Sequence, residues 1–272
     1  MTDDRERWAL ILGASSGMGE ATSLALAAAG YRICGIHLDF RAALQHVEEV
    51  KAGIVAAGSE ALFINLNAAD DGKRAAALQA LAARFDESRA AGRHPYVRVL
   101  MHSLAFGSLV PFLADDPKAA VDRKKMEMTL DVMANSLVYW VQDLVRGGFL
   151  ERGSKIYAMT SEGSSRVIPS YGVVSAAKAA LESHCRQLAM EFARRGAGVA
   201  VNAIRAGVTD TPALRKIPES ARMVEVTLAR NAHGRLTTVQ DVADAIVRLS
   251  EGDSDWISGN IIGVDGTEFV TG

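Results

Sequence analysis

Residues 8–30 read WALILGASSGMGEATSLALAAAG. The apolar run Trp8 to Leu12 predicts a short buried strand, and the Ala/Leu-rich stretch up to Gly30 predicts a helix. Between them lie Gly13, Gly17 and Gly19. In a strand–loop–helix of this kind, glycines let the backbone approach a pyrophosphate, whose charge is met by the amide groups of the helix N-terminus. A glycine pattern alone is weak evidence, but in this context it predicts a dinucleotide site. Its candidate contacts are Gly13, Ser15, Ser16, Gly17, Met18 and Gly19.

The rest of the chain repeats the alternation. Further strands are predicted at Tyr31–His37, Ala61–Leu66, Tyr96–Met101, Lys155–Met159, Gly198–Ala203 and Ile261–Val264. Helices are predicted at Ala42–Ala57, Lys73–Ala90 and Lys124–Arg146, from about Tyr171 to Arg194, and after the capping-box pattern Thr238-Val-Gln-Asp241. The implied fold class is α/β, a doubly wound parallel sheet of about seven strands with helices on both faces. At 272 residues, one domain over 1–272 fits better than two small ones. The polar link 91–95 is expected to be a surface loop. The stripe Met126, Leu130, Met133, Leu137, Val141 and Leu144 is expected in the core or at a subunit contact.

Composition narrows the partners. The chain is 49% hydrophobic and 23% charged with a net charge of −2, and no basic tract invites nucleic acid or an anionic membrane. The start, MTDDRERW, does not resemble a signal peptide, and no apolar run reaches the roughly eighteen residues that span a bilayer. Cys34 and Cys185 fall inside predicted elements, so reduced, buried thiols and a cytoplasmic setting are expected. The six histidines lack ligand spacing, and no metal is expected.

Two places bear on chemistry. Asp39 lies about twenty residues past Gly19, where an acid accepts hydrogen bonds from the adenosine ribose. Arg41, two residues on, would instead pair with a 2′-phosphate, and both also read as ordinary surface charges. Tyr171 and Lys178, seven apart at a predicted helix start, share one face about 10 Å apart along the axis. A phenol so placed can give a proton to a substrate oxygen, while an ammonium lowers its pKa and holds a sugar hydroxyl.

Gly13-x3-Gly17-x-Gly19 resembles the TGxxxGxG loop of the short-chain dehydrogenase/reductase family, with Leu12 in place of the threonine. The resemblance runs from about Trp8 to Glu268 and implies a Rossmann-like fold binding NAD(H) or NADP(H). It assigns Asn67 and Ala68 to the adenine. The segment His102-Ser-Leu-Ala-Phe-Gly107 resembles that of the enoyl-acyl-carrier-protein reductases, which borders the nicotinamide and the acyl pocket. Ser103, Leu104 and Ala105 therefore fall to the cofactor and Phe106 to the substrate, whereas His102 also reads as a satisfied loop histidine. Gly207, Val208, Thr209 and Thr211 resemble a segment that touches the nicotinamide carboxamide and a phosphate, and 207–232 is the implied substrate-binding segment, with 212–230 expected to be mobile.

Finer features resemble the enoyl reductases again. Most of the family has three residues between tyrosine and lysine, which would put the tyrosine at Val174; here there are six. Ala206 replaces a proline, and Met133 stands where ketoreductases carry an asparagine, with Asn135 pointing elsewhere. By resemblance Tyr171 stabilises an enolate, Lys178 binds the nicotinamide ribose, and Ser161, where the best-known enoyl reductases have a second tyrosine, is a helper hydroxyl. Met159 joins Phe106 and Tyr171 on the substrate side. The implied partner is an acyl thioester, on acyl-carrier protein or coenzyme A. The balance leans to NAD(H), because Ser16 stands where many NADP-binding members carry a basic residue. A ketoreductase or alcohol dehydrogenase, or a dinucleotide-binding sensor without activity, are the alternatives. The small residues Ala176, Ala179, Ala180 and Ser183 suit close helix contact in a homodimer or homotetramer.

Overall fold

Alternate residues of the first strand face opposite sides of one sheet, and both sides are covered. β1 (Arg5–Leu12) sends Trp8, Leu10 and Leu12 into one apolar cluster and Ala9 and Ile11 into another. A strand buried on both faces reads as a continuous apolar run, which is why this one was visible in the sequence. The computed structural model describes residues 4–218 and 220–271; residues 1–3, 219 and 272 of the expected domain lie outside them.

The sheet is parallel throughout, in the order β3-β2-β1-β4-β5-β6-β7. The remaining strands are β2 (Arg32–His37), β3 (Ala61–Asn65), β4 (His94–His102), β5 (Lys155–Thr160), β6 (Ala200–Ala206) and β7 (Ile261–Val264). Core residues of α1 (Gly17–Ala28), α2 (Leu44–Ala56) and α8 (Val239–Ser250) join the cluster on one face. On the other, α3 (Asp71–Ala90), α5 (Ser136–Arg146) and α6 (Gly172–Arg194) supply Leu81, Trp140 and Leu181. β1 lies between β2 and β4, so the strand order reverses there, and the crevice at the carboxyl ends of β1 and β4 is where such a sheet receives a ligand.

Several boundaries differ from the expectation, and for some of them the physical reason is plain. β1 begins at Arg5 because Arg5, Glu6 and Arg7 pair with His94, Pro95 and Tyr96 of β4. Glu6 is buried there against Trp8 Nε1 at 2.9 Å and Ser88 Oγ at 2.6 Å, with Arg32 and Arg93 as ion-pair partners at 3.0 and 2.9 Å. Compensated charge hid these strand residues. The same pairing makes His94 and Pro95, expected in a surface loop, the start of β4.

The long helix expected over Lys124–Arg146 is broken into α4 (Arg123–Leu130), a π-helical turn (Asp131–Asn135) and α5. A π turn takes in an extra residue and re-aims the helix beyond it, and the apolar stripe runs across it without a gap. The segment 212–230 is a 3-10 turn at Leu214–Lys216 followed by α7 (Ser220–Arg230). The capping box is present: Thr238 Oγ1 accepts the Asp241 N–H at 3.1 Å while Asp241 Oδ2 accepts the Thr238 N–H at 2.8 Å. Cys34 and Cys185 are free and buried, and burial pushes each thiol up to about 12. Among the described residues no helix is long and apolar enough to cross a membrane.

Candidate active site

The loop after β1 has no room for side chains at two of its glycines. A Cβ on Gly13, whose φ is +90°, would lie 2.6 Å from the Ser103 carbonyl oxygen, and one on Gly19 would lie 2.0 Å from that of Gly13. The close packing brings the glycine loop against Ser103 and Leu104, and Ser103 N donates to Leu12 O at 2.9 Å. Ser16 is the extended N-cap residue of α1, exposed, and its hydroxyl is not used as a cap. Thr211 lies over the loop, its methyl 3.5 Å from a Cβ built on Gly17. A side-chain-free cradle at a helix N-terminus fits a dinucleotide pyrophosphate.

On the adenosine side, Asp39 has an internal partner. Its Oδ2 lies 2.9 Å from His37 Nδ1, and Asn65 clips its backbone by accepting the Asp39 N–H at 3.1 Å and donating to Asp39 O at 2.8 Å. Arg41 is exposed in the following turn. The acid and the arginine lie two residues apart just past the end of β2. Asn67 Oδ1 accepts the Ala69 N–H at 3.0 Å, and Ala68 O accepts the indole N–H of Trp140 at 2.9 Å.

Tyr171 caps the N-terminus of α6, following Ser170, which is held at a φ of +59°. Such a conformation in a residue with a Cβ is a strained one. The Tyr171 ring lies on Gly163, where a Cβ would come within 2.6 Å of it, and its hydroxyl is 3.4 Å from Ser161 Oγ. Burial raises the phenol's pKa, and the Ser161 contact opposes that rise. Tyr171 packs with Met133, Val174 and Ala177, and Val174 and Met133 are only 4% and 3% exposed. The Phe112 ring covers Gly172, and Gly107 sits against Met133, Thr129 and Val174. Phe106 itself is 60% exposed.

Lys178, two turns into α6, is buried, and its Nζ donates to Met159 O at 2.7 Å. Met159 differs from its expected substrate role: its side chain packs with Met101, Ile204 and Val242 on the α1/α8 face, and only its carbonyl reaches α6. Burial holds the Lys178 ammonium down at about 8, against the opposing charge of Glu182. His102 is fully buried, with Nε2 2.9 Å from Ser136 Oγ. Ser136 gives its one proton to Val132 O at 2.8 Å, so His102 must donate to it from Nε2, leaving Nδ1 without a partner among the described residues. Burial, then the nearby Lys178, lower His102 to about 3, so it is neutral. Asn135 accepts from His184 at 3.2 Å, away from Tyr171's cluster.

After β6, Val208 N donates to the carboxylate of Glu268, at 3.0 and 3.3 Å to its two oxygens. Thr209 donates to Gly207 O at 2.9 Å, and Thr211 Oγ1 accepts the Leu214 N–H at 3.2 Å. Glu268 is buried, which raises its pKa, and Arg230 and Arg166 hold the Glu268 and Phe269 carbonyls at 3.2 and 3.1 Å. Glu268, Phe112 and Glu182 escaped sequence reasoning. Glu182 alone offered a signal, an acid one helical turn past Lys178.

The structure thus brings the glycine loop, Ser103–Phe106, Tyr171 with Ser161, and Thr211 to one end of the sheet. A family model described as enoyl-(acyl carrier protein) reductase matches residues 13–266. The chain is 32% identical to an NADH enoyl-[acyl-carrier-protein] reductase of Buchnera aphidicola over 171 residues, 63% of this chain and 64% of that protein. It is 26% identical to a 1-cyclohexenylcarbonyl-CoA reductase of Streptomyces collinus, over 97% of this chain and 88% of that one. The crystal structure of an NADH enoyl-[acyl-carrier-protein] reductase from Aquifex aeolicus superposes with a TM-score of 0.79 at 26% identity, covering 98% of this chain and 97% of that one. By sequence alignment the chain spans under two thirds of the enoyl reductases of Buchnera and Aquifex, 64% and 63%. Ketoreductases also occur among its relatives.

Proposed function

This chain belongs to the short-chain dehydrogenase/reductase family of NAD(P)-dependent oxidoreductases, in its enoyl-acyl-carrier-protein reductase branch, and from that premise we propose that it reduces the C2–C3 double bond of an enoyl thioester. The observation that carries this reading is what surrounds the phenol. Val174, where most of the family has its tyrosine, and Met133, where ketoreductases have an asparagine, are packed into the apolar cluster under Tyr171. The one phenol in that cluster sits three residues earlier, about 4.5 Å along the helix axis.

That offset has a chemical sense. In a ketone, the carbon that takes hydride bears the oxygen that takes the proton. In an enoyl thioester the hydride goes to C3 while charge develops on the C1 oxygen. When bound, NAD(P)H supplies the hydride. Tyr171 donates a hydrogen bond to the developing enolate oxygen, and its buried position strengthens that interaction. Lys178 holds a ribose hydroxyl and adds positive charge, and Ser161 orients the phenol through its hydroxyl. A proton from water then adds to the enolate at C2, completing the addition of one hydride and one proton across the double bond. Phe106 and Phe112, exposed on the loop before α4, offer apolar surface to an acyl chain.

One domain holds both cofactor and substrate in this reading. NADH is the preferred reductant, because no basic side chain stands at Ser16, although Arg41 beside Asp39 keeps NADPH in play. The exposed small residues Ala176, Ala179 and Ser183 of α6 suit a second copy of the chain in a homodimer or homotetramer.

Oxidation of NADH and NADPH with crotonyl-CoA, run in parallel with acetoacetyl-CoA, tests the proposal. Turnover of the enoyl substrate alone supports it and fixes the reductant. Turnover of the ketone alone replaces it with ketone reduction.

A further inference from the structure

Lys178 is fastened to β5 in a two-way clamp. Its ammonium donates to the carbonyl of Met159 at 2.7 Å, and the next residue, Thr160, donates its hydroxyl back to Glu182 Oε1 on α6 at 2.6 Å. Lys178 and Glu182 are four apart, so they lie on the same helix face one turn apart, and both are buried. A buried carboxylate beside a buried ammonium needs a reason, since each alone is costly to bury. Thr160 satisfies one oxygen of Glu182, whose charge acts on the Lys178 ammonium across one helical turn rather than through a direct ion pair.

We propose that Glu182 is a positioning residue: with Thr160 it keeps Lys178 in the ammonium form and aimed at the end of β5, where the ribose and the phenol would meet it. This rests on the enoyl-reductase reading for what Lys178 does, but not for how Glu182 acts on it. The other titratable groups around Lys178 do not supply the charge. His102 on β4 is neutral at about 3, and Cys185, one turn past Glu182, stays a thiol at about 12. His184 is half-buried, which lowers its pKa. Tyr171 is raised by burial and remains a phenol. Burial pulls Lys178 down and Glu182 pulls it back up.

The test is the pH profile of kcat together with direct titration of the Lys178 Nζ by NMR, its signal assigned with Lys178→Arg. In the wild type, turnover falls as pH rises through about 8, where Lys178 loses its proton. In Glu182→Gln, which still accepts from Thr160, the fall moves to lower pH by about one unit, as expected for removing one charge at this range. The loss is then several-fold larger at pH 8 than at pH 6, with the melting temperature little changed. Glu182→Asp, which keeps the charge, restores the wild-type profile. An Nζ titration unmoved in Glu182→Gln, or an equal loss at every pH, overturns the proposal. A wild type that turns over neither crotonyl-CoA nor acetoacetyl-CoA defeats the functional reading instead, and the NMR titration still decides the role of Glu182.

Discussion

The two ends of the candidate site are built on different principles. At the end of β1 the site is backbone: Gly13 and Gly19 are there because a Cβ would strike a carbonyl oxygen, and the helix N-terminus provides the field. At the end of β5 the site is side chains in an unfavourable medium, with a buried phenol, a buried ammonium and a buried carboxylate held by single hydrogen bonds. Shape fixes the first end. The second depends on charges whose burial is costly, and such strain is commonly tolerated where it serves chemistry.

The difference predicts which variants lose rate and which lose stability. Tyr171→Phe is expected to lower kcat/KM for crotonyl-CoA by about 10²–10⁴-fold, the usual range for removing a positioned proton donor. Its melting temperature should hardly move, since among the described residues the hydroxyl has only the long 3.4 Å hydrogen bond with Ser161. Retention of the full rate would falsify this division of labour between the two ends.

Gly19→Ala attacks the other end. Its Cβ would stand 2.0 Å from a backbone oxygen that cannot swing away, so denaturant unfolding should show a loss of about 1–3 kcal/mol or more. Gly58→Ala, at a φ of +79° with nothing within 4 Å, should cost only the conformational penalty of about 1 kcal/mol. Equal losses at the two positions would mean that crowding around Gly19 is relieved by local movement.

Lys178→Met separates rate from stability within one residue. Turnover should collapse while the protein becomes more stable at pH 7, by about 1 kcal/mol, because a buried ammonium is removed. The sign comes from the titration. The folded-state value of about 8 lies below the ordinary 10.5, so the folded state carries the penalty fully below pH 8 and sheds it between pH 8 and 10.5. Melting curves at pH 7 and 10 should therefore show the gain fading; a constant gain would trace it to packing. Ser161→Ala is the mildest change, a less than about tenfold loss in kcat, because a long hydrogen bond contributes little.

The same contrast governs how much of the molecule was legible in the sequence. Strands such as Tyr31–His37 stood out because burial on both faces demands an apolar run, while Arg5–Arg7 did not, because Glu6 is compensated by partners as far away as Ser88 and Arg93. The break at Asp131–Asn135 was invisible, since one extra residue in a helix leaves an apolar stripe almost intact.

What the sequence determined alone is whatever local sterics dictate: the glycine loop, the parallel alternation of strand and helix, the capping box at Thr238, and a tyrosine and lysine seven apart on one helix face. Those come from backbone geometry over a few residues. Only the tertiary structure decided that Met159 turns its side chain to the far face of the sheet, that Glu268 takes the Val208 amide from 60 residues away, and that Glu182 lies buried beside Lys178. Burial and field are sums over neighbours that chain order does not bring together, so a pKa or a compensated charge becomes definite only once the chain has folded around it.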